Sequence, residues 1–245
     1  MPTITDSIAM PEGTCPVIFA TPEGPGPWPG IVMYPDAGGA RPAFHEMATR
    51  LASLGYAVLV PDVYYRSGDW APFDMAGVFG DAGERNRLFA MMKAITPEVM
   101  ATDADRYFDY LAARPEVSGQ RFGTTGYCMG GRTSLMVAGR VPDRVAAAMS
   151  FHGGGLVSDD ADSPHLLAGK MTAAVYVGAA EDDASYTPEQ SAVLDAALTE
   201  ADVEHIIEWY PALHGFAVPD NAPYDEAAAE RHWQAMADFF GAHLH

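Results

Sequence analysis

The chain has 245 residues, of which 49% are hydrophobic and 19% are charged, and this composition is typical of a folded globular protein and excludes wholesale disorder. Its 33 acidic and 14 basic residues give a net charge of −19, which disfavours nucleic acid and anionic membranes as partners because both are negatively charged. No stretch approaches the roughly 18 consecutive apolar residues that a membrane-spanning helix needs.

Strands and helices alternate along the sequence. Short apolar runs between turn residues predict strands, and apolar residues spaced three and four apart predict helices. This alternation predicts an α/β fold with a mostly parallel central sheet and helices on both faces, in a single domain over 1–245. In chain order, the predicted elements are strands at 3–9 and 15–20, a rigid turn at 21–30, a strand at 31–34, a helix at 43–54, a strand at 57–60, an irregular stretch at 66–96, a helix at 102–113, a strand at 121–126, a helix at 132–139, strands at 145–150 and 173–177, a helix at 188–199, a strand at 205–209 and a helix at 225–244.

The irregular stretch at 66–96, called the excursion segment below, differs from the rest of the chain. Glycines at four positions alternate there with tryptophan, phenylalanine and methionine. Such a segment can be core, pocket wall or a mobile lid, and its composition leaves these three alternatives open.

The most specific motif is GYCMGG at 126–131, between a predicted strand and a predicted helix. In a sharp strand-to-helix turn the central residue is forced to positive φ and its neighbours two positions away must be small, which Gly126 and Gly130 satisfy. Cys128 would then project over the helix N-terminus, where the helix dipole favours a thiolate. The N–H of Met129 would face a developing oxyanion. The alternatives are a glycine-rich turn with a buried, inert cysteine, and a phosphate loop, which lacks its lysine.

Two further motifs follow later predicted strands. The segment 178–183 offers carboxylates after the strand at 173–177, and His214 follows the strand at 205–209. In α/β hydrolases the nucleophile comes first along the chain, then the acid and then the histidine, each on a loop after a strand. The three motifs together therefore predict an α/β-hydrolase fold with cysteine in the nucleophile position.

With these motifs in this order, the chain resembles the dienelactone hydrolase family of α/β hydrolases. The resemblance implies a triad of Cys128, an aspartate and His214, and the family's spacing from the end of the strand favours Asp183, with Asp182 as the fallback. It also implies an oxyanion hole formed by the N–H groups of Ala37 and Met129. The likeness runs almost end to end and includes GPWPGIVMY at 26–34, DAGG at 36–39, GYAVLVPDVYYR at 55–66, GYCMGG at 126–131 and HGF at 214–216.

Four positions bear on how this chain differs from better-known family members. Asp36 stands where those members have a glutamate that holds the resting thiol, so the resemblance implies a thiol-holding role for Asp36. Its side chain is one methylene shorter, which leaves open whether it gates the thiol. Arg87 matches one of two arginines that bind a substrate carboxylate, whereas Val218 replaces the other. Met91 replaces a tyrosine of the family pocket. We therefore expect a more apolar pocket and a substrate other than the dienelactone itself.

The run HGGG at 152–155 is similar to the oxyanion loop of some esterases, but it follows the nucleophile here instead of preceding it. We interpret it as a turn at a strand end, with His152 as a residue of the pocket lining.

These observations predict a hydrolase that cleaves a small ester or lactone through a Cys-His-Asp triad and an acyl-thioester, without a metal or organic cofactor. A true carboxymethylenebutenolidase is the alternative within the same class, favoured by Arg87 and opposed by Val218. A non-catalytic ligand-binding protein or a thiol redox sensor on the same fold is the alternative from another class.

The cellular setting is predicted from the cysteines and from the first residues. Cys15 and Cys128 are too few for a disulfide framework or a zinc site. Residues 1–10 lack the basic and apolar regions of a signal peptide. We expect a cytoplasmic protein, monomeric or a small homo-oligomer, whose partner is a small-molecule ester or lactone and not nucleic acid or a membrane.

Overall fold

Eight strands form one sheet in the computed structural model of the protein, which describes residues 1–244. In chain order the strands are β1 (Thr3–Met10), β2 (Gly13–Ala20), β3 (Trp28–Tyr34), β4 (Ala57–Pro61), β5 (Val117–Tyr127), β6 (Val145–Phe151), β7 (Ala174–Asp182) and β8 (His205–Leu213). Across the sheet they lie in the order β1-β2-β4-β3-β5-β6-β7-β8. β2 is antiparallel to both β1 and β4, and all the other neighbouring pairs are parallel.

Helices cover both faces of this sheet. They are α1 (Pro42–Ser53), α2 (Ala82–Ala94), α3 (Pro97–Ala112), α4 (Met129–Arg140), α5 (Pro164–Leu167), α6 (Pro188–Glu200) and α7 (Glu226–His243). The apolar stripes of α3, α4 and α6 pack against one face of the sheet, and those of α1 and α7 pack against the other. The predicted mostly parallel sheet with helices on both faces is thereby confirmed. None of the helices within 1–244 is both long and apolar enough to span a bilayer.

The parallel strands direct four loops to one edge of the sheet. The carboxyl ends of β3, β5, β7 and β8 lie at the same edge, since these strands run in one direction. The residues that follow them are Asp36 and Ala37 after β3, Cys128 after β5, Asp183 after β7 and His214 after β8. Ligand sites of open α/β sheets lie at this edge, so the topology brings the candidate residues together.

The helix α2 is a feature that the sequence pattern did not predict. It lies inside the excursion segment, and only Leu88 of its 13 residues is buried, so it has no apolar stripe for a periodicity argument to detect. Its N-terminus is nevertheless capped, because the Asp81 carboxylate accepts hydrogen bonds from the N–H groups of Gly83 and Glu84 at 2.7 and 3.0 Å.

The excursion segment divides between core and surface. Phe73, Val78 and Leu88 are buried and form a third apolar cluster with Ala37 and Tyr64. By contrast Phe79 and Phe89 are about half exposed, at 53% and 50%.

Several strands are longer than predicted. β3 begins at Trp28, inside the predicted rigid turn, because the Trp28 N–H donates to the Glu116 carbonyl and this stretch pairs with the start of β5. β8 continues to Leu213 and not only to Trp209, although it contains Pro211, because it is the edge strand of the sheet and needs ladder hydrogen bonds on one side alone. His214 therefore follows its strand directly.

Candidate active site

Cys128 occupies the sharp turn between β5 and α4. Its backbone has φ 54° and ψ −116°, its N–H donates to the Phe151 carbonyl at 3.1 Å, and its own carbonyl accepts from the Gly131 N–H at 3.0 Å. A side chain at Gly126 would overlap the backbone of Gly130, so the turn can close only with glycine there. The strained conformation is held by this close packing, and it leaves the thiol partly exposed.

His214 is bound through its Nδ1 to a buried carboxylate. The Asp183 Oδ2 atom lies 2.6 Å from His214 Nδ1, and the Asp183 side chain is only 3% exposed. The hydroxyl and the N–H of Ser185 donate to the other carboxylate oxygen, Oδ1, at 2.6 and 2.8 Å. Asp182 is exposed and lines a separate surface groove. Of the two aspartates left open by the sequence, Asp183 is therefore the one in contact with the imidazole.

The electrostatics of this group favour a charged imidazole. Burial acts to lower the pKa of His214, but the hydrogen bonds to Asp183 and Cys128 outweigh it and raise that pKa to about 10. Burial likewise acts to raise the pKa of Asp183, and the hydrogen bonds from His214 and Ser185 bring it below its usual value. Since Nδ1 faces the carboxylate, Nε2 is the nitrogen available to Cys128.

Cys128 and His214 line the same pocket, of about 290 Å³. Its other walls come from the loop after β3, from the excursion segment and from the loop after His214. No lysine or arginine among residues 1–244 lines it. Sequence reasoning missed most of these residues, because nothing in a local pattern tells which side of a loop faces the thiol. The remaining lining residues are Asp36, Ala37, Met75, Ala76, Phe79, Gly215, Asn221, Ala222 and Pro223.

Two backbone N–H groups beside the thiol have no acceptor within residues 1–244. One belongs to Ala37, which lines the pocket. The other belongs to Met129, the first residue of α4, where a helix has no internal acceptor to offer. Both can therefore donate to an oxygen atom of a bound ligand.

A buried arginine links two of the loops around the pocket. The Arg41 guanidinium donates to both oxygens of Asp36 at 2.5 and 3.0 Å, and to both oxygens of Asp220 at 2.7 Å. The Asn221 amide donates to Asp36 as well, at 3.1 Å. Burial acts to lower the pKa of Arg41, but the hydrogen bonds to Asp220 and Asp36 raise it overall. Arg41 is close to Asp36 in the sequence, but no sequence pattern predicts its contact with Asp220, which is 179 residues from Arg41.

The comparison with known protein families agrees with this geometry. The sequence profile of the dienelactone hydrolase family matches residues 15–244. The chain belongs to the dienelactone hydrolase family. It is 27% identical over 219 residues to a carboxymethylenebutenolidase of Rhodococcus opacus, a match that covers 87% of this chain and 81% of that relative.

Solved structures of dienelactone hydrolase type have the same fold. The structure of m3DLH matches with a TM-score of 0.82 and 25% sequence identity, and the match covers 100% of this chain and 99% of m3DLH. A dienelactone hydrolase-like promiscuous phosphotriesterase, P91 from metagenomic libraries, matches with a TM-score of 0.77 and 27% identity over the same shares of the two chains. The protein is thus a hydrolase of dienelactone hydrolase type with an α/β-hydrolase fold.

Two substrate-binding positions expected from the dienelactone hydrolase family lie away from the pocket. The Arg87 guanidinium is held by Glu84, three residues earlier on α2, at 3.2 and 2.6 Å, and it lies 3.8 Å from the centre of the Phe73 ring. Met91 lies one turn further along α2 and packs in the third apolar cluster. The expectation that these two residues line the pocket is corrected, because α2 directs them along its own surface and into the cluster.

Val218 and His152 are also separated from the pocket. Val218 is fully buried in the core, because the chain turns back after Gly215 and its N–H donates to the Gly215 carbonyl. His152 is 1% exposed and lies behind the His214 ring, with 5.1 Å between the ring centres. Neither of its ring nitrogens has a partner within residues 1–244. The expectation that His152 lines the pocket is therefore corrected as well.

The expected contact between Asp36 and the thiol is not formed within the described residues. Asp36 is 2% exposed and both of its carboxylate oxygens are bound by Arg41. Its shorter side chain stays in the loop, where it also accepts from the Gly38 N–H at 2.9 Å. Asp36 thus forms part of the pocket wall without holding Cys128.

Proposed function

We propose that this protein hydrolyses small, uncharged esters or lactones through a triad of Cys128, His214 and Asp183. The observation that carries the proposal is the 2.6 Å contact between Asp183 and His214 Nδ1, in a pocket that His214 shares with a cysteine on a strand-to-helix turn. A nucleophile, a base within reach and a third group that orients the base are the requirements of covalent acyl transfer.

In the first half of the proposed reaction, the Cys128 sulfur attacks the carbonyl carbon of the substrate. His214 holds the thiol proton, and Asp183 keeps the ring in the tautomer that directs Nε2 to the sulfur. The oxygen of the tetrahedral intermediate accepts hydrogen bonds from the N–H groups of Ala37 and Met129. The carbon–oxygen bond to the leaving group then breaks, and the leaving oxygen takes the proton from His214, which leaves an acyl-thioester on Cys128.

In the second half, water attacks the thioester carbon. His214 accepts a proton from this water, and the same two N–H groups stabilise the second oxyanion. The carbon–sulfur bond breaks, the acid is released and His214 keeps the proton beside the Cys128 thiolate, which is the state in which the cycle began. The cycle is complete with the side chains present, and it requires neither a metal nor an organic cofactor.

The composition of the pocket supports an uncharged substrate. Its lining contains no lysine or arginine within 1–244, and Arg66, another cation of the excursion segment, is held by Asp103 at 2.6 and 2.9 Å. A carboxylate moved into an apolar pocket without a cation loses several kcal/mol of hydration. This argues against the dienelactone, although the Rhodococcus opacus relative is named carboxymethylenebutenolidase.

Because the P91 relative is described as a phosphotriesterase, an uncharged phosphotriester belongs in the substrate panel.

The decisive experiment compares the wild type with Cys128→Ala on 4-nitrophenyl acetate. We expect the variant to lose on the order of 10⁴-fold or more in kcat, because removing the nucleophile of such a triad abolishes the covalent pathway. The fold should persist, since the turn is shaped by Gly126 and Gly130 and not by the sulfur. Activity within tenfold of the wild type, with an unchanged circular dichroism spectrum, would rule the proposal out.

Labelling distinguishes this proposal from a thiol redox sensor. Cys15 is fully buried, and burial raises its pKa to about 12, so it is a poor resolving thiol for Cys128. Iodoacetamide should therefore label Cys128 well before Cys15, with loss of hydrolysis in step. A disulfide between the two cysteines after mild oxidation, detected by peptide mass spectrometry, would favour the sensor.

A further inference from the structure

The loop after β3 is held by hydrogen bonds on both sides of Ala37. The Asp36 carbonyl accepts from the Gly39 N–H at 2.9 Å, and the Asp36 carboxylate accepts from the Gly38 N–H at 2.9 Å. The Ala37 carbonyl accepts from the hydroxyl of Tyr64 at 2.8 Å. The Ala37 N–H remains without an acceptor within residues 1–244, as described above. The loop therefore presents this N–H to the pocket while its neighbouring groups are fixed.

Tyr64, which follows β4, is the one side chain from outside the loop that holds the Ala37 carbonyl within 1–244. It is 2% exposed, and burial raises its pKa, so its hydroxyl remains a donor. Its ring packs edge-on against Trp70 with 5.5 Å between the ring centres, and the Trp70 indole N–H donates to Asp62 at 3.0 Å. Both rings pack closely on Gly39, where a Cβ would lie 2.8 Å from Trp70 and 3.0 Å from Tyr64.

The Tyr64 hydroxyl also lies next to the second N–H donor of the pocket. Met129 Sδ is 3.8 Å from the Tyr64 oxygen, so this one hydroxyl contacts both residues whose N–H groups lack acceptors. The pocket itself is lined by Ala37 and Cys128 and not by Tyr64. Tyr64 can therefore influence the reaction only through the groups that it holds.

We infer that Tyr64 is a positioning residue for the oxyanion hole: by binding the Ala37 carbonyl it holds the Ala37–Gly38 peptide, and this keeps the adjoining Asp36–Ala37 peptide, which carries the Ala37 N–H, in place. This inference rests on the proposed function. Stabilisation of an oxyanion depends on donors that are already oriented before charge develops, and small displacements of catalytic groups cost large factors in rate. Loss of the hydroxyl leaves the ring in place but frees the Ala37–Gly38 peptide to turn, so that the Ala37 N–H in the preceding peptide is held from one side alone, by the bond between the Gly39 N–H and the Asp36 carbonyl.

The test compares Tyr64→Phe with Tyr65→Phe, using 4-nitrophenyl acetate as substrate. Tyr65 is a suitable control because it is adjacent and buried, and its hydroxyl donates to Asp103 at 3.2 Å, away from the pocket. We expect the kcat of Tyr64→Phe to fall by about tenfold or more, while its KM stays within about threefold of the wild type. The fall in kcat should be smaller than the loss of about 10²–10³-fold that follows when an oxyanion-hole donor is removed altogether. Tyr65→Phe should stay within about twofold of the wild type, as judged on samples with matched circular dichroism spectra.

A second measurement separates positioning of the oxyanion hole from general disturbance of the site. Alkylation of Cys128 by iodoacetamide displaces iodide at a saturated carbon and forms no oxyanion, so its rate should be within twofold of the wild type in Tyr64→Phe. Trp70→Phe, which loses the hydrogen bond to Asp62 but keeps an aromatic ring beside Tyr64, should lower kcat in the same direction by a smaller factor.

The outcomes distinguish the inference from the function on which it rests. Equal kcat in Tyr64→Phe and wild type, with Cys128→Ala inactive, overturns the inference and leaves the proposed function intact. A parallel fall of hydrolysis and alkylation in Tyr64→Phe also overturns it, because Tyr64 would then act on the Cys128–His214 pair. Full activity in Cys128→Ala instead removes the proposed function itself.

Discussion

The His214 imidazole lies between two groups that favour its charged form. Its folded-state pKa of about 10 exceeds the reference value of 6.5, because the hydrogen bonds to Asp183 and Cys128 outweigh the effect of burial. A raised pKa means that the protonated ring contributes stability fully below pH about 6.5, and that this contribution is lost as the pH rises towards about 10.

We therefore expect the stability difference between wild type and His214→Gln to be larger at pH 6 than at pH 10. The measurement is the Tm of both proteins at the two pH values in the same salt, compared as a difference so that the other titrating groups cancel. A difference that stays constant or grows towards pH 10 would show that His214 is not held as the charged partner of Asp183.

The two aspartates of the loop after β7 provide a matched pair of variants. Asp183→Asn should lower kcat/KM by about 10³–10⁴-fold, since an amide cannot hold the imidazole in the same tautomer. Asp182→Asn should stay within about threefold of the wild type, because Asp182 is exposed and faces a separate groove. Steady-state kinetics on 4-nitrophenyl acetate measure both values. A loss of kcat/KM in Asp182→Asn that exceeds the loss in Asp183→Asn would show that Asp182 is the catalytic acid.

Residues that follow strand ends could be predicted from the sequence, and their side-chain partners could not. Cys128, Asp183 and His214 each come directly after a parallel strand, so the topology alone brings them to one edge. Arg41 and Asp220 are brought together by the turn after Gly215, which no local pattern encodes. For Arg87 the partner is local, since Glu84 three residues earlier on α2 binds its guanidinium, and Arg87 is not among the residues within 1–244 that line the pocket.

At the scale of elements, the parallel strands were predictable and the excursion segment was not. Buried strands such as β4, in which all five residues are buried, appear in the sequence as unbroken apolar runs. Because the helix α2 buries only one residue, the sequence signals of this helix are limited to the N-cap Asp81 and the glutamate three residues later. The place where α2 packs follows from the third apolar cluster, which is formed by residues from three separate segments.

The Arg41 network joins two elements of the site, and its removal should be costly. Arg41→Met would leave the Asp36 carboxylate, 2% exposed, without its cation, so we expect a loss of about 3 kcal/mol or more in the free energy of unfolding. Arg50→Met is the control, because the Arg50–Glu230 pair is on the surface and should contribute less than about 1 kcal/mol. Urea unfolding measures both, and equal losses would contradict the assigned role of Arg41.

At the scale of the whole molecule, the charge of the protein and the lining of its pocket act in the same direction. A net charge of −19 repels anions at long range, and this repulsion is screened by salt. The absence of lysine and arginine from the pocket lining within 1–244 penalises a carboxylate after it has entered, and salt does not remove that penalty. The two effects can be separated by ionic strength.

We expect 4-nitrophenyl 4-methylpentanoate to be hydrolysed with at least about tenfold higher kcat/KM than mono-4-nitrophenyl succinate, which has a carboxylate in place of the terminal isopropyl group. Raising the salt from about 20 to 500 mM should narrow this ratio without reversing it, because only the long-range part is screened. A wild type that prefers the succinate at both ionic strengths would show that a cation reaches the pocket during turnover.

Adding a cation to the pocket wall also tests whether the absence of a positive charge there causes the preference for uncharged esters. Phe79 lines the pocket and is 53% exposed, so Phe79→Arg can be accommodated without burying an unpaired charge. We expect it to shift the kcat/KM ratio towards the succinate by about tenfold, the effect of about 1.4 kcal/mol from one charge-assisted hydrogen bond. Phe89→Arg adds the same charge at a position 50% exposed and outside the pocket lining, and should shift the ratio by no more than about twofold. Equal shifts in the two variants would mean that net charge, and not the chemistry of the pocket wall, sets the preference for uncharged esters.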